Sequence, residues 1–175
     1  AANLESTLGK YCKKGDVILN LSVEVSSLAI IEWCQKHGVL YLDTCIEPWA
    51  NYYDNTDIAE EERTNYFLRH SALELAKKLP KNGPSALLTH GANPGLITHF
   101  IKQAVLDVAK FSGLDATKPT TRDGWAKLMQ ATGTKVIHVA EHDLQVTNVP
   151  KRQGEFCNTW SIAGFVGEGC QPAEL

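Results

Sequence analysis

Residues 16–46 read DVILNLSVEVSSLAIIEWCQKHGVLYLDTCI, and their pattern decides the fold. DVILNLSV (Asp16–Val23) is a short apolar run suited to a strand buried on both faces. Ser26-Ser27 then offers a helix N-cap, and LAIIEWCQKH carries apolar side chains at helical spacing up to a stop at Gly38. VLYLDTCI (Val39–Ile46) is a second buried strand. Strand, helix and strand joined by tight connections make a βαβ crossover, which implies a parallel sheet and an α/β fold.

The pattern continues outward. After Glu47-Pro48-Trp49 a polar, aromatic loop leads to Asp57, read as the N-cap of a helix over IAEEERTNYFLRHSALELAKKL, with acids in its first turn and Lys77-Lys78 in its last. SALLTH is a third short strand. Pro94 stands at the expected first position of a helix over LITHFIKQAVLDVAKF, and Thr121 caps a shorter one, RDGWAKLMQATG. Beyond it, KVIHVAEHDLQVTN and EFCNTWSIAGFVGEG alternate and are rich in β-formers, so a second, α+β layer is expected there.

Composition narrows the function. The 175 residues carry 17 basic and 20 acidic side chains, a net charge of −3 and no Lys/Arg run, so neither a nucleic-acid nor a membrane-surface footprint is present. Five scattered cysteines without a CxxC pair suit reduced thiols and a cytoplasmic protein.

Ligands of open α/β sheets sit at the carboxyl ends of the strands. That edge collects Asn20 and Ser22, Asp43-Thr44 with Glu47 just beyond, and His90 followed by Gly-Ala-Asn93-Pro94-Gly. His90 and His99 are nine residues apart with no Cys or carboxylate at ligand spacing, so they read as structural or surface histidines and no metal site is expected. Asn93 is placed for helix capping, for ligand contact, or for both. Glu47 is a loop carboxylate or a ligand group. Strand alternation turns Glu141 inward with Val139 and Asp143, and an inward carboxylate without a partner is costly unless it serves a function. Trp160 taken alone reads as a core or interface aromatic, and Glu168, between glycines, as part of a flexible turn. Residues 136–175 hold an excess of carboxylates over Lys151 and Arg152, and carboxylates beside a Trp face suit an organic cation. No G-x-G-x-x-G phosphate turn occurs in the 175 residues.

Five collinear motifs, NLSVEVSSLAIIEWC, LYLDTCIEPW, GANPGLITHFIKQA, VIHVAEHDLQV and NTWSIAGFVGEGCQPAEL, resemble the bacterial homospermidine synthases, relatives of the saccharopine dehydrogenases. Those proteins are longer at both ends, so the resemblance is to an internal segment. It implies a partial Rossmann-like NAD-binding domain over residues 1–95 leading into an α+β substrate domain over 96–175. The implied reaction joins two putrescines into homospermidine and ammonia through imines, with NAD reduced and reoxidised in each cycle. An aliphatic amine, with a Lys-like pKa of about 10.4, must lose a proton before hydride can leave, so a carboxylate base is required nearby. The resemblance further implies roles for Glu47, Asn93, Glu141, Trp160 and Glu168 in catalysis and amine binding. Asn20, Ser22, Thr44, Asn93 and Pro94 would line the NAD site, and the complete protein would be a cytoplasmic homodimer. A saccharopine dehydrogenase-like NAD(P) oxidoreductase would want basic residues for substrate carboxylates, and a non-catalytic polyamine-binding fragment would bind putrescine without NAD.

Overall fold

Ile30, Ile31, Trp33 and Cys34 recur at helical spacing on one stripe, and that stripe is the buried side of α2 (Ser27–His37). The Ser26 hydroxyl caps the helix by accepting the Ala29 N–H at 3.3 Å, and Gly38 closes it in the left-handed region at φ 71°. These features come from a computed structural model that describes residues 3–53, 55–170 and 172, with Ala163 and Gly167 described by backbone alone.

The helix joins two parallel strands, β1 (Val17–Asn20) and β2 (Leu40–Asp43), in the register Val17↔Leu40 through Asn20↔Asp43. A third parallel strand, β3 (Ala86–Leu87), adds to β2, so the sheet order is β1-β2-β3. Ahead of β1 lies α1 (Leu4–Tyr11), and between β2 and β3 lies α3 (Asn65–Lys78). Ile18, Tyr41 and Ala86 share one sheet face, and against it pack α2, Leu4 and Leu8 of α1, and Leu75 of α3. Cys34 and Val39 are completely enclosed there, and burial pushes the Cys34 thiol up to about 11.

The opposite face corrects the expectation of strands buried on both sides. Val17 is 60% and Leu19 55% exposed, with Leu40 and Leu87 also open. The side chains that α1, α2 and α3 contribute to this core cover the other face, so only alternate strand residues are covered. The helix expected from Asp57 also starts later. Asn55 accepts the Asp57 N–H in an Asx turn, and Arg63 donates to the carbonyls of Tyr53 and Ile58. Those bonds hold the chain in a tight path that includes a 3-10 turn at Glu60–Arg63, leaving Thr64 to cap α3 through the Phe67 N–H.

A second compact unit runs Thr89–Glu141, while the first takes in the chain up to Leu88 and from His142 onward. In the second unit α4 (Leu96–Phe111) and α5 (Arg122–Ala131) enclose Val105, Ala109 and Leu128. Thr121 caps α5 as its sequence predicts, accepting the Gly124 N–H at 3.1 Å. Pro94 does not open α4; the helix begins at Leu96 with Gly95 as its N-cap, and the Asn93–Pro94 bond is cis. A Cβ at Gly95 would lie 2.5 Å from the Gly91 carbonyl, so only glycine fits this position at φ 130°.

The last part of the chain departs most from its sequence pattern. Among the described residues from Thr134 to Ser161 no strand forms, and Val136, Leu144 and Val146 are exposed. Alternation specifies a strand only where another edge completes its ladder, and none of the described strands extends to this segment. Ile162–Cys170 is a helix, α6, rather than a strand and turn, and Ser161 accepts the Gly164 N–H at its start.

The α2 core gives a direct test. Ile31→Ala removes a buried side chain from the helix–sheet seam and is expected to lower stability by about 3 kcal/mol in urea unfolding, with unchanged m value. A loss below about 1 kcal/mol would show that this seam does not hold the unit together.

Candidate functional site

The carboxyl ends of β1 and β2 lie side by side because Asn20 pairs with Asp43 in the parallel register. Both side chains point to the helix-covered face, where Asn20 is 7% exposed and Asp43 fully buried. A carboxylate in that position needs hydrogen-bond donors. Tyr41, two residues earlier on the same face, donates its hydroxyl to Asp43 Oδ2 at 2.8 Å. Asn20 Nδ2 donates to the Tyr41 oxygen at 3.0 Å, and the Ser27 hydroxyl bonds the same oxygen. Burial, the foremost cause, pushes the Tyr41 phenol well above its ordinary value, so it stays protonated.

Each of these partners fixes a loop. Asn20 Oδ1 accepts the Ser22 N–H at 3.2 Å and the Ser22 hydroxyl at 2.5 Å, which turns the chain at the end of β1. Ser27 Oγ accepts the Glu47 N–H at 3.0 Å, while the Ser27 N–H donates to the Glu47 carbonyl at 2.9 Å. The Asn20 amide is thus engaged at both ends within the protein. Thr44 follows β2 directly and is half-buried.

Glu47 itself is half-buried and its Oε2 accepts the Glu24 N–H at 3.3 Å. Burial raises its carboxyl above the ordinary glutamate value; the Glu24 N–H opposes this, and the charges of Glu24 and Asp43 add to it. Glu24 adopts φ 60°, unusual for a side chain of its kind, and this conformation presents its N–H to Glu47. Cys45 lies among the same carboxylates. Burial first, then Glu47, Asp43 and Glu168, push its thiol up to about 11, so it remains a thiol at neutral pH. Glu168, on α6, is therefore close enough to Cys45 for its charge to be felt there.

Trp160 precedes α6 and is 50% exposed, its ring edge against Phe165 at 6.4 Å between centroids. The core reading of this residue is thereby corrected: the ring lies partly open, over Gly164, where a Cβ would come within 2.8 Å of it. Glu168 lies in a helix and not in a turn. Glu141 closes the second unit, exposed and outside any strand, which overturns its expected inward position.

In the second unit the loop before α4 is held by the Gly91 N–H on the Pro94 carbonyl at 2.9 Å and the Ile97 N–H on the Ala92 carbonyl at 3.0 Å. Asn93 is exposed at its tip and makes no capping bond to α4, which leaves its amide to solvent or a ligand. His90 and His99 meet edge to face at 5.6 Å, and among the described residues no three His, Cys, Asp or Glu side chains gather as metal ligands. None of the described helices is long and apolar enough to cross a membrane.

Sequence reasoning missed Glu24, Ser27 and Tyr41. For Tyr41 a signal existed: Tyr-x-Asp in a strand beside one that ends in Asn puts a phenol within reach of a buried carboxylate. Glu24 left no signal, because its role depends on a backbone conformation.

Comparison with known proteins agrees with this architecture. Residues 1–87 match the family model described as the saccharopine dehydrogenase NADP binding domain. The homospermidine synthase of Blastochloris viridis is 46% identical over 157 residues, covering 90% of this chain and 33% of that protein. The homospermidine synthase of Mesorhizobium japonicum is 45% identical over 159 residues, with the same coverage of 90% and 33%. A crystal structure of the homospermidine synthase from Legionella pneumophila in complex with NAD is similar at a TM-score of 0.79 and 45% identity, covering 96% of this chain and 34% of that one. The chain therefore spans about a third of the length of the relatives it matches. Near-half identity across nine-tenths of the chain, on a shared Rossmann-like parallel sheet, makes this chain similar to one segment of the homospermidine synthases.

Proposed function

We propose that the protein carrying this chain is a homospermidine synthase that uses NAD to join two putrescines into homospermidine and ammonia. The observation that carries the reading is the Glu47 turn, where burial raises a carboxyl that neighbours Glu24 and Asp43, while the charge of Glu168 acts on nearby Cys45. An anionic cluster with a carboxyl of raised proton affinity suits a substrate that arrives as a dication and must give up a proton.

The residues present fit part of an NAD site. At the edge after β1 and β2 we assign Ser22 and Thr44 to the cofactor, with Asn20 holding that turn; Asn93 and Pro94 are assigned to it from the resemblance alone, and the G-x-G-x-x-G turn for the phosphates does not occur in the 175 residues. When bound, NAD supplies the hydride acceptor that turns an amine carbon into an electrophile. In our reading Glu47 takes the proton from the reacting ammonium, so that the amine lone pair is free when hydride leaves. Glu141 and Glu168 hold ammonium groups as ion pairs, and the face of Trp160 stabilises the cationic iminium. Attack by the second amine and loss of ammonia from the same carbon would exchange one imine for another at the same oxidation level, so the reaction would need no net oxidant.

We assign residues 1–95 to the NAD-binding domain and 96–175 to the substrate domain. The active protein is proposed to be a cytoplasmic homodimer, with diamines as substrates and no nucleic-acid or membrane partner. Its described cysteines are all free thiols, which supports a reducing compartment.

The complete polypeptide, given NAD and putrescine, is expected to form homospermidine without accumulating NADH. Steady NADH build-up, or no amine product, rules the reading out. Trp160→Ala is expected to lower kcat about tenfold with little change in melting temperature, while Trp160→Phe retains part of the activity. Equal turnover in the Ala variant would return Trp160 to a packing role.

Glu47 also sets a pH dependence. Its folded pKa is raised above the ordinary value of 4.5, so the stability it contributes is present below that value and lost as pH rises through the folded one. Glu47→Gln, which keeps an acceptor for the Glu24 N–H, removes the loss. Its melting temperature relative to wild type is therefore expected to rise between pH 4 and pH 7 while turnover falls, and a difference independent of pH would contradict this.

A further inference from the structure

The hydrogen bonds at the sheet edge form two directed chains that meet at one atom. In the first, the Glu47 N–H donates to Ser27 Oγ, and the Ser27 hydroxyl bonds Tyr41. In the second, the Ser22 N–H and hydroxyl donate to Asn20 Oδ1, and Asn20 Nδ2 donates to Tyr41. Tyr41 spends its single proton on Asp43, which is fully buried. A phenol oxygen has one proton and two lone pairs, and here every one of them is used. Because Tyr41 gives its proton to Asp43, Asn20 and Ser27 must donate to its oxygen, and removing the hydroxyl takes away the acceptor on which both chains end.

We infer, resting on the reaction proposed above for its kinetic consequence, that Tyr41, with Asp43 as terminal acceptor, is a positioning residue for Ser22 and Glu47. Neither Tyr41 nor Asp43 reaches the surface, so neither touches substrate. Through Asn20 the hydroxyl fixes the turn assigned to the cofactor, and through Ser27 it fixes the backbone of the carboxylate assigned to the amine. One buried group thus sets the spacing of two loops that are 25 residues apart in sequence. Cooperative chains of this kind are stiffer than isolated pairs, and a buried member left unmatched is costly.

The test uses amide hydrogen exchange in the 175-residue chain together with kinetics in the complete polypeptide. Tyr41→Phe keeps the ring and removes the hydroxyl; exchange at Ser22 and Glu47 is expected to quicken about tenfold at both amides. Ser27→Ala cuts one chain only, so Glu47 exchange quickens and Ser22 exchange stays as in wild type. The kinetics should divide in the same way. KM for NAD rises about tenfold in Tyr41→Phe and is unchanged in Ser27→Ala, whereas kcat falls in both. Unchanged exchange at both amides in Tyr41→Phe overturns the positioning role whatever the activity. Where Tyr41→Phe does not fold, Ser27→Ala decides, and equal quickening at Ser22 and Glu47 overturns the two-chain arrangement. A wild-type polypeptide that makes no amine product defeats the proposed reaction and leaves the exchange result standing, so the two failures are distinguishable.

Discussion

The hydroxyl of Tyr41 is the constraint on which the organised edge of this protein depends. It satisfies a buried carboxylate on its own strand, the terminal amide of the neighbouring strand and the first residue of the crossover helix. These three groups belong to three elements, and they are brought together by the parallel register that pairs Asn20 with Asp43. The register in turn follows from the βαβ connection, with Ser26 and Gly38 setting where the helix starts and stops. Local capping chemistry therefore reaches the candidate site in two steps.

The anionic character of that site has the same origin. Glu47 is anchored by its backbone, through both groups of Ser27, while its side chain is left half-buried beside the Glu24 N–H. Anchoring by main chain leaves the carboxylate free for chemistry, and the neighbouring acids raise the cost of its charge. A substrate that brings positive charge lowers that cost. This complementarity explains why the proposed substrate is a diamine rather than an amino acid, whose carboxylate would meet the same acids.

Much of this was legible in the residues. Ser26, Gly38 and Thr121 marked helix ends through caps that need only local sequence, and the apolar stripe of α2 named the core. The failures share a different cause. Asp57 was as good a cap as Thr64, and the choice between them was made by Arg63 and Asn55 through bonds to the intervening loop. The strand pattern of Val136–Val146 lacks a pairing edge among the described residues, so alternation had nothing to act on. NTWSIAGF reads as β-rich because Trp, Ile and Phe favour strands, yet the Ser161 cap on Gly164 turns it into a helix entry. Of the candidate site, Glu47, Ser22 and Asn20 were legible from their place at strand ends. The partners that hold them were not, because Ser27 and Tyr41 act through tertiary register.

The central claim, that a hydride is removed from an amine carbon and returned to it, is tested most directly with putrescine bearing deuterium at all four α-carbon positions. The account predicts homospermidine that keeps all eight α-deuterons, since the one removed in forming the first imine comes back to the same carbon. Product carrying seven, or deuterium released to solvent, would contradict it.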